Sequence, residues 1–168
     1  AAAVAASTIP EFRRVTAAAG TTVLTLTSTV AGVPFTQTSS SATGSGSAGH
    51  SLSTSTTTAS SGPNHWGIAA NWSPSGVPVD SDDVVIENSS VDILYDLSQA
   101  SIALTSLSIP ASYTGKIGLP VYNPAGFYEY LTTYLSLESA ATVTIGHGQG
   151  AGSARLRLNL GTTAAAAV

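Results

Sequence analysis

The sequence predicts an all-β chain: a partial β repeat at the N-terminus followed by a short-strand β-solenoid or β-sandwich. Three observations carry this. Apolar-x-apolar units recur through the second half, at Leu107-Ser-Ile109, Leu135-Ser-Leu137, Val143-Thr-Ile145 and Leu156-Arg-Leu158-Asn-Leu160. Alternation of period two is the mark of a strand that buries one face. Turn residues (Gly, Pro, Asn, Asp) separate these units at intervals of roughly 8 to 25 residues, the spacing of a sandwich or a coiled β array. In a solenoid each coil buries its inward row against the coils above and below.

Taken in order, Ala1–Ser7 reads as the last turns of a helix that ends at Pro10. Phe12–Ala17 and Thr21–Thr27 read as strands, the second with Val23, Leu24 and Leu26 set among threonines. Ala31-Gly32-Val33-Pro34 is a turn, from which Phe35–Thr38 can return as a hairpin partner. Together these form a first segment, residues 1–40. Residues 41–62 read as a connector rich in Ser, Thr and Gly, with the alternation Leu52, Thr54, Thr56, Thr58 leaving an edge strand open. Residues 63–168 form the solenoid-like or sandwich segment. In it Val84–Glu87 and Val91–Tyr95 flank a hairpin turn at Asn88-Ser89-Ser90. Ile102–Ile109, Lys116–Leu119, Tyr134–Leu137, Thr142–Ile145 and Arg155–Leu160 complete the strand series.

Composition narrows the functions. Of 168 residues only nine are acidic and five basic, so 8% are charged, against about a quarter in ordinary domains. No charged side chain occurs between Arg14 and Asp80. A net charge of −4 argues against nucleic acid, which needs several cations against phosphate. No apolar run approaches the ~18 residues of a spanning helix. The absence of cysteine excludes disulfide scaffolds and thiol nucleophiles. The chain opens on Ala1 and has no methionine, so it reads as processed, trimmed or part of something longer, and Gly161–Val168 is a weak cap past which the chain or a neighbouring subunit is expected to continue.

The chemical motifs read as structural. Gly44-Ser-Gly46-Ser-Ala-Gly49 and Gly146-His-Gly148-Gln-Gly-Ala151 have the spacing of a dinucleotide loop but lack the following helix, and read as turns. Asp80-Ser-Asp82-Asp83 falls short of a calcium loop and reads as a turn whose carboxylates bond nearby N–H groups before the Val84 strand. Glu87, Asp92, Glu129 and Glu138 are the carboxylates that a polysaccharide-acting enzyme would use. His50, His65 and His147 are isolated; His147 reads as a turn residue and His65 as a packing one. No catalytic, cofactor or metal residues are assigned. Six of the eleven aromatics lie in one interval: Tyr113, Tyr122, Phe127, Tyr128, Tyr130 and Tyr134. They read as an interface with a sister subunit or coat protein, a loop folded over the β face, or a glycan platform.

The run Gly62-Pro-Asn-His-Trp66, Asn71-Trp72, Gly76-Val-Pro78, Asp82-Asp-Val-Val-Ile86, then Ser90–Tyr95, Leu104–Ile109, Thr114–Pro120 and Thr144-Ile-Gly146 resembles β-rich structural proteins of tailed phages and environmental bacteria. The likeness spans residues 62–161; residues 1–40 resemble, less specifically, the end of a repeat in phage tail and virion proteins. The resemblance implies a virion structural protein (a capsid decoration, spike or fibre component) that acts by association with other virion proteins. A homo-oligomer is expected, a trimer being favoured. The alternatives are a bacterial surface or secreted β-solenoid, such as an adhesin or filament subunit, and a polysaccharide-acting enzyme.

Overall fold

A computed structural model describes residues 13–35, 37, 53–56, 58–118, 121–122, 128–129, 134–161 and 165–167. Of 121–122, 128–129 and 165–167 only the backbone is described. The chain divides into two compact units, Ala1–Ser60 and Ser61–Val168. Strands dominate both, and the described residues include no α-helix. The chain is therefore all-β. The helical reading of Ala1–Ser7 lies outside the described residues.

In the first unit, β1 (Val15–Ala19) and β2 (Leu24–Ser28) pair antiparallel, with Ala17 opposite Leu26. Gly20 N–H donates to the Val23 carbonyl at 2.8 Å and closes the turn. Both strands sit a few residues further along the chain than the alternation alone predicts, because pairing is set by this turn. Gly32 takes a positive φ of 76° in the expected turn, but Phe35 beyond it belongs to no strand. In the connector, residues 53–56 carry no strand; most of its other residues lie outside those described.

The second unit is built from parallel pairs. β3 (Asp83–Val85), β4 (Ser98–Ile109), β8 (Leu135–Ile145) and β11 (Ala165–Ala167) form one ladder in which Val84, Leu107, Val143 and Ala166 lie side by side. Successive partners in this row are separated by 23, 36 and 23 residues. A second ladder runs from Ile93 to Ile117 to Leu156, through β5 (Lys116–Ile117) and β9 (Arg155–Leu156). A third joins His65 to Tyr95, and Ser98 to Ser136 to Asn159, through β10 (Leu158–Asn159). A short antiparallel pair, β6 (Val121–Tyr122) with β7 (Tyr128–Glu129), lies in the longest step.

The expected hairpin at Asn88-Ser89-Ser90 does not form. Asp83–Val85 pairs with Ser106–Ser108, while Ile93 and Tyr95 bridge Ile117 and His65. The turn is a corner stacked on the next corner: Ser112 Oγ accepts from Asn88 N–H at 3.2 Å, and Thr114 N–H donates to the Ser89 carbonyl at 2.9 Å. Apolar alternation is identical for parallel and antiparallel partners, so it does not separate the two. Tyr134–Leu137 and Thr142–Ile145 merge into the single strand β8, because Ala140 is small enough to be buried between them beside Leu104. Arg155–Leu160 instead divides at Arg157 into β9 and β10.

The core lies inside the ladders. Val84, Ile86, Leu97, Leu104, Leu107, Ile109, Ile117, Leu135, Leu137 and Val143 are buried in one cluster with Trp66 and Tyr113. Leu107 is fully buried; hiding such a side chain stabilises by about 1.5–3 kcal/mol. The alternate positions of the same strands carry Asp83 and Val85, Ser106 and Ser108, Thr142 and Thr144. Hydroxyls therefore make much of the outer face, which accounts for how few charges the chain carries.

Candidate functional site

The aromatic cluster does not survive as one surface. Tyr113 is fully buried, and its hydroxyl donates to the carbonyls of Val91 at 2.8 Å and Lys116 at 3.0 Å. Burial first, and the nearby Asp92 carboxylate second, raise its phenol well above the ordinary range. It is a core residue, because the corner at Pro110–Thr114 turns its ring inward under the next strand, and it cannot serve as an interface residue. Tyr134 is 41% exposed and precedes β8. Tyr122 and Tyr128 face each other in the β6–β7 backbone register, with side chains outside the described set. Phe127 and Tyr130 also lie outside the described residues.

The Asn-His-Trp and Asn-Trp motifs build a closed polar network over the first turns of the second unit. Asn64 Nδ2 donates to the Asp92 carbonyl at 2.7 Å, and the Asn64 carbonyl accepts from Leu94 and Tyr95. Asn71 Nδ2 donates to the carbonyls of Gly62 and His65. Trp72 Nε1 donates to the Trp66 carbonyl at 2.8 Å, and the two indoles meet edge-on with centroids 4.7 Å apart. His65 is buried, its Nδ1 2.8 Å from Asp96 Oδ2 and its ring 4.8 Å from that of Tyr95. It is the packing residue that its place beside Trp66 suggests.

The acidic turn is likewise tied into the fold. Asp80 Oδ1 accepts from Ala103 N–H and Asp82 Oδ2 from Val79 N–H, both at 2.9 Å, while Asp83 Oδ1 accepts from Ser106 Oγ. Of the carboxylates weighed for glycoside chemistry, Asp92 accepts from Lys116 N–H at 2.9 Å, with Lys116 Nζ 3.6 Å away. Glu87 and Glu138 are exposed, the first beyond β3 and the second on β8, with β4 between those strands. The side chain of Glu129 is outside the described residues. Gly146 and Gly148 take φ values of 75° and 76° in a turn that hooks onto the preceding corner: the His147 carbonyl accepts from Ala111 N–H at 2.8 Å. His147 itself is exposed; His50 and Gly44–Gly49 lie outside the described residues.

One surface was not singled out by the sequence reading. Tyr134, Leu156, Arg157, Leu158 and Asn159 line a groove of about 480 Å³. Its signal was present in Arg155-Leu-Arg157-Leu-Asn159-Leu160, where alternation puts both arginines and the asparagine opposite the leucines. Among the described residues, no three His, Cys, Asp or Glu side chains gather as a metal site, and no helix is long and apolar enough to cross a membrane. No family model, curated protein or solved structure matches the chain.

Proposed function

We propose that the chain is a structural component of a tailed-phage virion, with its second unit a short parallel β-solenoid. The observation that carries the reading is the pairing offset. In the first ladder Val84 meets Leu107 and Val143 meets Ala166, each 23 residues on; in the second Ile93 meets Ile117, 24 residues on. One coil of that length visits all three ladders and buries an inward residue at each, the stacking economy of solenoids. The polar side chains of the motifs hold backbone to backbone, which suits a protein whose work is to be rigid and to be contacted. Association is the mechanism: the edge of β3, with Val85 half-exposed, is the surface on which neighbours would bury area. A trimer is the favoured assembly.

Peptide mass spectrometry of purified particles tests the proposal. The chain should be present in a fixed, many-copy ratio to the major capsid protein. Its absence from particles, or its release by protease from intact bacterial cells, overturns the virion reading and favours a bacterial surface protein. Sedimentation should give an oligomer; a stable monomer at all concentrations removes the association mechanism.

A further inference from the structure

The second unit contains three basic residues, Lys116, Arg155 and Arg157. In-register pairing sets Lys116 beside Arg155. Arg157 follows two residues on, while the alternate Leu156 and Leu158 pack against the core. Lys116 lies 3.6 Å from Asp92, whereas no carboxylate among the described residues lies within ion-pair distance of either arginine. Arg157 opens onto the groove with Tyr134 and Asn159. Asn159 Oδ1 accepts from Gly161 N–H at 3.4 Å, which leaves its Nδ2 as a donor.

We propose that this groove binds a carboxylated sugar, a uronate residue of an acidic polysaccharide. A uronate ring offers a carboxylate, several hydroxyls and an apolar C–H face, and the groove holds a counterpart to each. The planar Arg157 guanidinium matches a carboxylate with two parallel hydrogen bonds. The exposed Tyr134 ring gives the C–H face an apolar partner, and its hydroxyl and Asn159 Nδ2 serve the sugar hydroxyls. Arg155, two residues before Arg157 and exposed, supplies positive potential for the next uronate of a chain. Three cations are too few for a duplex, and an acidic peptide lacks the ring that Tyr134 and Asn159 suit. The proposal stands independently of the virion reading.

Isothermal titration of the whole chain with polygalacturonate, alginate and hyaluronate tests it, with dextran as the neutral polymer and polyglutamate as the polyanion that is no sugar. At least one polyuronate should bind, more weakly as salt rises. Dextran should not bind, and polyglutamate should bind at least tenfold more weakly. Arg157→Gln and Tyr134→Ala should each weaken uronate binding tenfold or more, while Glu87→Gln leaves it unchanged. Circular dichroism checks that the variants fold; the Arg157 carbonyl that accepts from Leu135 N–H at 3.0 Å is untouched by the side-chain change. Failure of all three polyuronates to bind, equal binding of polyglutamate, or unchanged affinity in either variant overturns the proposal.

Discussion

His65 and Asp96, thirty-one positions apart, are joined by a 2.8 Å contact between Nδ1 and Oδ2, with the histidine only 3% exposed. Asp96 holds its carboxylate there from a left-handed backbone, φ 60°, which aspartate and asparagine tolerate better than other side chains. Asp96→Ala removes the acceptor and adds backbone strain. It should cost about 1–3 kcal/mol. Asp96→Asn keeps both the acceptor and the backbone preference and should cost less than half as much. Urea unfolding of the two variants checks the order.

Tyr113 should make the protein sensitive to alkali. The folded state favours the neutral phenol, so the stability this residue confers is complete below its ordinary value of 10.0 and is lost as pH climbs above it. Tyr113→Phe removes the hydroxyl donor from the Val91 carbonyl, while the Lys116 carbonyl keeps the Ile93 N–H at 2.7 Å, and should cost about 1–2 kcal/mol at pH 7. The gap between wild type and variant should narrow as pH rises beyond 10. Denaturant midpoints measured at neutral and alkaline pH give the comparison; a constant gap contradicts it.

Two glycines separate backbone freedom from space. Gly146 has a φ of 75° with nothing close to where a Cβ would stand, so Gly146→Ala should cost about 1–2 kcal/mol. Gly150 has a φ of 154°, and a Cβ there would run into the Ala111 carbonyl. Gly150→Ala should therefore cost more, above about 3 kcal/mol, because the corner behind it must move. Thermal melts of the pair decide whether this contact matters.

Leu107 occupies the middle of the first ladder with no exposure, between Val84 and Val143. Leu107→Ala should cost about 2–5 kcal/mol. Val85, one strand away and 50% exposed, faces outward, and Val85→Ser should stay within about 0.5 kcal/mol of wild type. Equal losses would mean that the outer face is covered.

The strand-rich character was legible because inward residues such as Leu107, Ile109 and Val143 alternate with serine and threonine, and alternation follows directly from the pleat. Strand direction was not. Val84–Glu87 and Val91–Tyr95 carry the same alternation whether they pair with each other or with Ser106 and Ile117 further along the chain. Tyr113 was misjudged for a related reason: a tyrosine between a corner and a strand reads as exposed until the carbonyls of Val91 and Lys116 are known to meet its hydroxyl. His65 is buried as the packing residue it was read to be, whereas in the Asp80–Asp83 turn only Asp82 bonds a nearby N–H, that of Val79; Asp80 and Asp83 reach Ala103 and Ser106 on β4, a partner that local turn chemistry does not reveal. The groove beside Arg157 escaped notice because Tyr134 approaches it from a strand twenty-three residues earlier.

The ladders keep their pairing across a long step between Ile117 and Leu135: Leu107 meets Val143, 36 residues on, where the flanking partners in that row are 23 apart. Ser98 still meets Ser136 and Ile117 still meets Leu156. The step between Ile117 and Leu135 is therefore a splice point. An epitope, a fluorescent tag or a foreign recognition peptide exchanged into it should leave those pairs in place, which makes the chain a scaffold for display.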